Sequence, residues 1–157
     1  MRSALLALLI LATPAFAGPK IGDQAPEIAG RDVAGQALKL SDYRGKVVVL
    51  DFWGRWCPHC VAMLPANAAL LVKHAGEPLV VVGVNTDKSR DVAEKACSAL
   101  AYRNWYAQDV DVSAYGVRSY PTYFVIDTEG KIAYVGSSAA QIERTIKRLL
   151  QAERRKR

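Results

Sequence analysis

Two cysteines three residues apart are the part of this chain best suited to chemistry. Cys57 and Cys60 lie in the run FWGRWCPHC at residues 52–60, directly after the apolar run of residues 47–50. The change from an apolar run to a helical pattern places both thiols in the first turn of a helix, where side chains three residues apart share a face. Thiols at this spacing can form a disulfide without displacing the backbone. The motif therefore predicts a redox-active dithiol.

The order of the two cysteines predicts different roles for them. Cys57 comes first, where free N–H groups and the helix dipole stabilise a thiolate, so it is the predicted nucleophile. Cys60 lies one turn deeper and would resolve the mixed disulfide that Cys57 forms with a partner. Pro58 suits the first helical turn. A protonated His59 beside Cys57 would stabilise the thiolate further and make the disulfide a stronger oxidant, although His59 could also be only a surface residue.

Asp51 is the one charged residue in the strand predicted over residues 47–52. Burial of a charged carboxylate is costly, so we expect the pKa of Asp51 to be raised. A carboxylate of this kind behind the dithiol could take or give the proton of Cys60 during exchange. The position also allows a second interpretation, in which Asp51 ends the strand and reaches water.

The remaining cysteine and histidines argue against a metal or haem site, and the dithiol needs no cofactor. Structural zinc would need two or more further soft ligands, and only His59, His74 and the distant Cys97 are available. Covalent haem attachment requires a histidine directly after Cys60, where Val61 stands. Cys97 is predicted to be a small buried residue rather than a redox group. His74 is predicted to interact with the dipole at a helix C-terminus.

The N-terminus has the pattern of an export signal. Arg2 is followed by an apolar stretch over residues 4–12 and by residues 13–17, which end in an A-x-A site. We therefore predict cleavage of residues 1–17, a periplasmic location, and one domain over residues 18–157. The alternative, an uncleaved membrane anchor, is disfavoured because the stretch is shorter than the roughly 20 residues that span a bilayer.

The formal net charge of the chain is +6, and four basic residues stand together at positions 154–157. We predict that this basic tail is a frayed helix end whose cations suit the helix dipole. A contact with a membrane surface or an acidic partner is the alternative. No aromatic-interleaved basic patch is present, so nucleic-acid binding is not expected.

Hydrophobic patterning predicts an α/β sandwich with a small N-terminal hairpin. The first helix contains Pro65, where a kink is expected. The helical period places Val61 and Val72 on the apolar side of the first helix and Val92 on that of the second. In chain order the predicted elements are a hairpin over residues 28–30 and 37–40, a strand over 47–52, a helix over 57–75, a strand over 79–84, a helix over 89–101, a hairpin over 120–126 and 131–135, and a helix from 138.

These residues resemble the thioredoxin family. Residues 53–60 are similar to its W-x-x-W-C-x-x-C signature, Asp51 matches its buried acid, and Pro65 matches its helix-kinking proline. Pro121 matches its cis-proline. The resemblance implies a thioredoxin-like fold, in which helices flank a central mixed sheet, here with the N-terminal hairpin as an extension.

The same resemblance implies where a substrate would dock. In that family the backbone beside the cis-proline binds the substrate chain, so Tyr120, Pro121 and Trp56 are the implied substrate-binding residues. The general frequency of a cis X–Pro bond is only about 5–6%. The cis form of Pro121 is therefore an expectation that comes from the family.

The N-terminal segment narrows the resemblance. Residues 22–26, Gly35 and residues 40–46 resemble the lead-in of exported TlpA/ResA-like thiol-disulfide oxidoreductases, which peroxiredoxins share. This implies thiol–disulfide exchange on exported cysteine-containing proteins and a membrane redox partner; several relatives keep cytochrome cysteines reduced. The Pro-His dipeptide between the two cysteines instead resembles that of DsbA-like oxidases, so the direction of electron flow stays open.

Two other functions remain as alternatives. A peroxiredoxin-like thiol peroxidase would place a proline seven residues and a Thr or Ser three residues before its reactive cysteine, where Leu50 and Gly54 stand. A Sco-like copper-binding module would use thiolates for Cu(I). Proteins of that type have a wider cysteine spacing and a distal histidine, and His74 is poorly placed for that role.

Overall fold

The computed structural model describes residues 18–156, so the predicted export signal and Arg157 lie outside the described residues. Among residues 18–156, no helix has the length and apolar character that would be needed to cross a membrane. The strands are β1 (Ala29–Arg31), β2 (Ala37–Lys39), β3 (Val47–Trp53), β4 (Leu79–Asn85), β5 (Asn104–Tyr106), β6 (Thr122–Ile126) and β7 (Ile132–Gly136), and the helices are α1 (Pro58–Lys73), α2 (Arg90–Cys97) and α3 (Ala139–Lys156).

Five strands form a mixed sheet in the order β5-β4-β3-β6-β7. Strands β3, β4 and β5 run parallel, whereas β6 and β7 are antiparallel to their neighbours. The central strand β3 is buried along its whole length, which explains its continuous apolar sequence. The predicted mixed α/β sheet with a separate N-terminal hairpin is confirmed.

Strand β3 divides its side chains between two hydrophobic clusters. Val49 packs in the cluster that contains residues of α1 and α3, and Leu50 packs in the cluster that contains Leu38 of the hairpin. Successive residues of a strand point to opposite faces of the sheet. Asp51 and Trp53 therefore lie on the same face as Val49, beneath the helices, and Trp53 packs in the cluster that contains the cysteine pair.

The hairpin of β1 and β2 is joined to the strand β5 region by a partly buried ion pair. Arg103 donates from Nε to Asp32 Oδ2 at 2.7 Å, and its Nη2 donates to the carbonyl oxygens of Gln36 and Ala37. Asp32 is only 5% exposed. Because these bonds cross from one part of the chain to another, they hold the hairpin against the main sheet.

The predicted inward positions of three valines are wrong. Val61, Val72 and Val92 are 41%, 79% and 43% exposed. The buried residues of α1 are Cys60 and Asn67, which are seven residues apart and so share one helix face. A polar residue occupies the centre of this face because it has a buried partner on the sheet, and the apolar pattern alone could not show that.

Strand β5 was not predicted, and two helix ends differ from the expectation. Asn104–Tyr106 is a short edge strand with all three residues buried. Helix α2 ends at Cys97 rather than near residue 101, and α1 ends at Lys73. Helix α1 continues through Pro65. Helix α3 continues to Lys156, so the described part of the basic tail is helical, and the fraying of this helix end stays a prediction.

Candidate active site

Cys57 and Cys60 form a disulfide at the start of α1. Their Cα atoms are 5.3 Å apart, which is ordinary for a disulfide. Cys57 is the N-cap residue, its Sγ accepts a hydrogen bond from the Cys60 backbone N–H at 3.1 Å, and Pro58 follows at the first helical turn. The Cys57 sulfur thus lies where free N–H groups of the helix stabilise negative charge.

The two sulfurs lie in a small apolar cluster with Trp53, Ala96 and Cys97. Cys57 is 6% exposed and Cys60 only 1%, so Cys57 is the more accessible of the two. Its role as the nucleophile stays a prediction. Burial, with a smaller contribution from a nearby aspartate, raises the pKa of Cys97 to about 12. Cys97 is therefore a neutral thiol at physiological pH and fills space, as expected.

Asp51 is fully buried beneath α1. Asn67 Nδ2 donates to Asp51 Oδ2 at 2.7 Å. Burial raises the pKa of Asp51 to about 7, while hydrogen bonds from Asn67, Tyr123 and Tyr102 act in the opposite direction. The predicted rise of this pKa is confirmed, and the interpretation in which Asp51 reaches water is wrong. Its proposed exchange of a proton with Cys60 remains a prediction.

His59 is exposed on the first turn of α1, next to the buried Cys60. Among the hydrogen bonds of residues 18–156, none joins His59 to the Cys57 sulfur. Its predicted effect on the Cys57 thiolate would therefore be electrostatic and without a direct hydrogen bond, or it would arise only when the pair is reduced. That effect stays a prediction.

His74 lies at the other end of α1, as the C-cap residue. Its Nδ1 is 2.5 Å from Glu77 Oε2. Burial lowers the pKa of His74, with a smaller contribution from Lys73. The side chain therefore joins α1 to the turn that follows it. His74 lies at the helix C-terminus as expected, and its interaction with the helix dipole stays a prediction. About 24 Å of helix separates His74 from Cys57.

Two aromatic rings flank the disulfide. Trp56 is 55% exposed, and its ring packs edge-on against Tyr120 with 5.0 Å between ring centroids. Tyr120 also packs against the cluster that contains both cysteines. The Tyr120–Pro121 peptide bond is cis, as the family resemblance implied. These residues form one surface beside Cys57.

Gly54 allows Trp56 to take this position. A Cβ atom at residue 54 would lie 2.4 Å from Trp56 Nε1 and 3.1 Å from Thr86 Oγ1. The glycine therefore lets the indole lie against the backbone of the turn between β3 and α1.

An open groove of about 310 Å³ continues from Tyr120 along the sheet edge and includes Phe52, Val112 and Val117.

Two buried polar contacts that support the site were not predicted. Asp87 accepts hydrogen bonds from the Arg55 backbone N–H at 2.9 Å and from Asn85 Nδ2 at 2.8 Å, which holds the turn before Cys57. The Trp53 indole donates to Asn104 Oδ1 at 2.8 Å. The sequence feature that could have indicated Asp87 is its place among the polar residues directly after the apolar part of strand β4.

The sheet order, the disulfide at the start of the helix after the central strand, and the cis-proline define a thioredoxin-like redox protein. The family model of the AhpC/TSA family matches residues 21–135, so the chain belongs to that family. The chain is 33% identical over 115 residues to the thiol-disulfide oxidoreductase ResA of Geobacillus thermodenitrificans, which covers 71% of this chain and 66% of the relative. It thus spans just under two thirds of that relative's length.

Other relatives are matched over more of their length. ResA of Bacillus subtilis is 31% identical over 147 residues, which covers 86% of this chain and 82% of the relative. A structure described as the thiol:disulfide interchange protein DsbE from Chlorobium tepidum has a TM-score of 0.74 at 32% identity. The match covers 83% of this chain and 98% of the DsbE chain. A secreted thiol-disulfide isomerase from Corynebacterium glutamicum has a TM-score of 0.72 at 26% identity, covering 88% and 95%.

These similarities confirm the predicted class. Together with the Cys57–Cys60 disulfide, they make the chain a thiol-disulfide oxidoreductase with a thioredoxin-like fold.

Proposed function

We propose that this protein is an exported, periplasmic enzyme that exchanges disulfides with cysteine-containing exported proteins. The observation that carries the proposal is the Cys57–Cys60 disulfide at the N-terminus of α1, with Cys57 beside the exposed ring of Trp56. The export signal predicted over residues 1–17 supports the location, as does the similarity to a secreted isomerase. A membrane redox partner would restore the pair after each turnover.

In the reducing direction, the Cys57 thiolate attacks one sulfur of a substrate disulfide. An S–S bond forms between Cys57 and the substrate, and the other substrate sulfur leaves as a thiolate. Cys60 then loses its proton to Asp51 and attacks the Cys57 sulfur, which restores the Cys57–Cys60 disulfide and releases the second substrate thiolate. Two electrons pass from the enzyme to the substrate. The oxidising direction is the same sequence of steps reversed.

The two directions are favoured by different parts of the molecule. A protonated His59 beside Cys57 favours the reduced form and hence an oxidising enzyme. The ResA-like framework favours an enzyme that is kept reduced by the membrane partner. The reduction potential of the pair decides between them, because it sets the direction in which exchange runs downhill.

The geometry disfavours the two alternatives. A thiol peroxidase of the peroxiredoxin type would need a hydroxyl side chain at residue 54, where a Cβ atom would meet Trp56 at 2.4 Å. Residue 50, where such a protein has proline, is a leucine buried in the middle of β3. A copper module would need His74 near the thiols, and it lies at the opposite end of α1.

The test compares three cysteine variants in an exchange assay with insulin as the disulfide substrate. Cys57→Ser is expected to abolish exchange, and Cys60→Ser to accumulate a mixed disulfide between Cys57 and the substrate. Cys97→Ser is the matched control and should keep the wild-type rate. Full exchange by Cys57→Ser would contradict the proposal, and rapid thiol-dependent consumption of peroxide by the wild type would favour the peroxidase.

A further inference from the structure

Asp51 lies inside a buried polar cluster that we call the acid cage: Asp51, Asn67, Tyr102 and Tyr123. The members come from four parts of the chain. Asp51 is on β3, Asn67 on α1, Tyr123 on β6, and Tyr102 lies just before β5. On the sheet, Asp51 stands opposite Tyr123 on one side and opposite Gly83 on the other. Because Gly83 has no side chain, β4 contributes no polar group to the cage.

Asn67 makes the shortest contact in the cage. Its Nδ2 lies 2.7 Å from Asp51 Oδ2, 3.2 Å from the Tyr123 hydroxyl and 3.4 Å from the Tyr102 hydroxyl. Asn67 is 2% exposed and Asp51 is fully buried. Within residues 18–156, Asp51 Oδ1 has no hydrogen-bond partner. The Asn67 amide is therefore the principal donor that the carboxylate has.

The other titratable groups near Asp51 are neutral at physiological pH. Burial raises the pKa of Tyr102 and of Tyr123, and the charge of Asp51 raises both further. Burial and, to a smaller extent, the charge of Asp87 raise the pKa of the Cys97 thiol to about 12, so that thiol is neutral as well. Among the described residues, no cation is placed to stabilise the Asp51 carboxylate.

The charged groups that line a groove with Asn67 are paired with each other. Asn67 lines a groove of about 200 Å³ between α1 and α3, and Lys73 and Glu143 line the same groove. Lys73 and Glu143 form an ion pair across it, and both are partly exposed. Their charges are opposite and adjacent, so they largely cancel at the distance of the buried carboxylate. The stabilisation of a negative charge on Asp51 thus depends mainly on the Asn67 amide.

We propose that Asn67 is a positioning residue for disulfide exchange: its amide stabilises the ionised form of Asp51 and so sets the pH above which Asp51 accepts the Cys60 proton. A hydrogen bond to an ionised acceptor is about twice as strong as one to a neutral acceptor. The amide therefore favours the carboxylate over the carboxylic acid that forms when Cys60 gives up its proton. This inference rests on the proposed function, in which Asp51 is the base for Cys60.

The experiment replaces Asn67 with leucine, which keeps the side-chain volume and removes the donor. The titration of the Asp51 carboxyl carbon is followed by ¹³C NMR, and the rate of exchange with insulin is measured against pH. For Asn67→Leu, both midpoints are expected about one pH unit above the wild-type midpoint. At pH 7 the rate should fall about fivefold, and at pH 9 it should return toward the wild-type rate.

Two controls separate this effect from a loss of structure. Met63→Leu changes an apolar side chain that lines the same groove and removes no polar group of the cage, so it should leave both midpoints in place. Adding Asn67→Leu to Asp51→Asn should not move the pH profile further, because the group that titrates is gone. Where Asn67→Leu does not fold, Tyr123→Phe removes one hydroxyl from the cage and should move the Asp51 midpoint upward by a smaller amount.

An Asp51 midpoint that stays at the wild-type pH in a folded Asn67→Leu protein would overturn the inference. A raised midpoint in the NMR titration with an unchanged rate profile would support the role of Asn67. It would contradict instead the part of the proposed function in which Asp51 takes the proton of Cys60. The two failures are therefore distinguishable.

Discussion

At the scale of the residue, Asp51 connects the chemistry of the site to the stability of the fold. Its carboxyl has an ordinary pKa of 3.8 and a pKa of about 7 when buried. Between these values the folded protein holds a proton that the unfolded chain has lost. The contribution of Asp51 to the stability of the fold therefore falls as pH rises through this window and is lowest above pH 7. The difference corresponds to about 4 kcal/mol.

We predict that Asp51→Asn stabilises the oxidised protein at high pH. The amide has nearly the same shape and never ionises, so the cost of the buried charge disappears. The free energy of unfolding should increase by about 2 to 4 kcal/mol at pH 8 and by much less at pH 4. Urea unfolding at the two pH values measures this, with the exposed Asp91→Asn as the control. An equal effect at both pH values would show that Asp51 is not buried as a titrating group.

The cysteine pair and its polar supports differ in how far they could be predicted. The spacing of Cys57 and Cys60 indicates a helix start and a disulfide from four consecutive residues. Asp51 stands out because it interrupts an apolar strand. Asn67 and Asp87 could not be found in this way, because their partners lie 16 and 32 residues away in the chain. Only the folded sheet brings them together.

At the scale of the element, long apolar runs were predicted well and short edges were not. Strands β3, β4 and β6 stand close to their predicted positions because each is buried along most of its length. Strand β7, in which only Ile132 is fully buried, was found from the turn residues that precede it. The three-residue strand β5 was missed because so short a segment cannot show a hydrophobic period. The valines of α1 were misplaced because a polar residue, Asn67, marks the buried face of that helix. Helix α2 buries Ala93, Ala96 and Cys97 instead of Val92.

The hairpin of β1 and β2 depends on Arg103 more than on its own two short strands. We predict that Arg103→Ala destabilises the protein by about 2 kcal/mol, because Asp32 would be left buried without its cation. The exposed Arg31 donates to the carbonyl of Gly35 within the hairpin. Arg31→Ala is the matched control and should cost less than about 0.5 kcal/mol. Urea unfolding gives both values, and equal costs for the two variants would contradict the assignment.

At the scale of the whole molecule, the redox site and the basic end of α3 lie far apart. Arg154 of the basic tail pairs with Glu77, just beyond the C-terminus of α1. Cys57 caps the opposite end of the same helix. Contacts made by the basic tail would therefore leave the surface of Trp56 and Tyr120 accessible to a substrate. In the proposed function, the exposed aromatic surface of Trp56 and Tyr120 is where a partner protein would dock.

The equilibrium reduction potential of the Cys57–Cys60 pair, titrated against glutathione, tests the central claim most directly. We predict a single two-electron transition between the values of about −270 mV for thioredoxin and about −120 mV for DsbA. A value near the first would make the protein a reductant, and a value near the second would make it a disulfide donor. The transition should be absent in Cys60→Ser. A potential below about −300 mV is typical of a structural disulfide and would contradict the account.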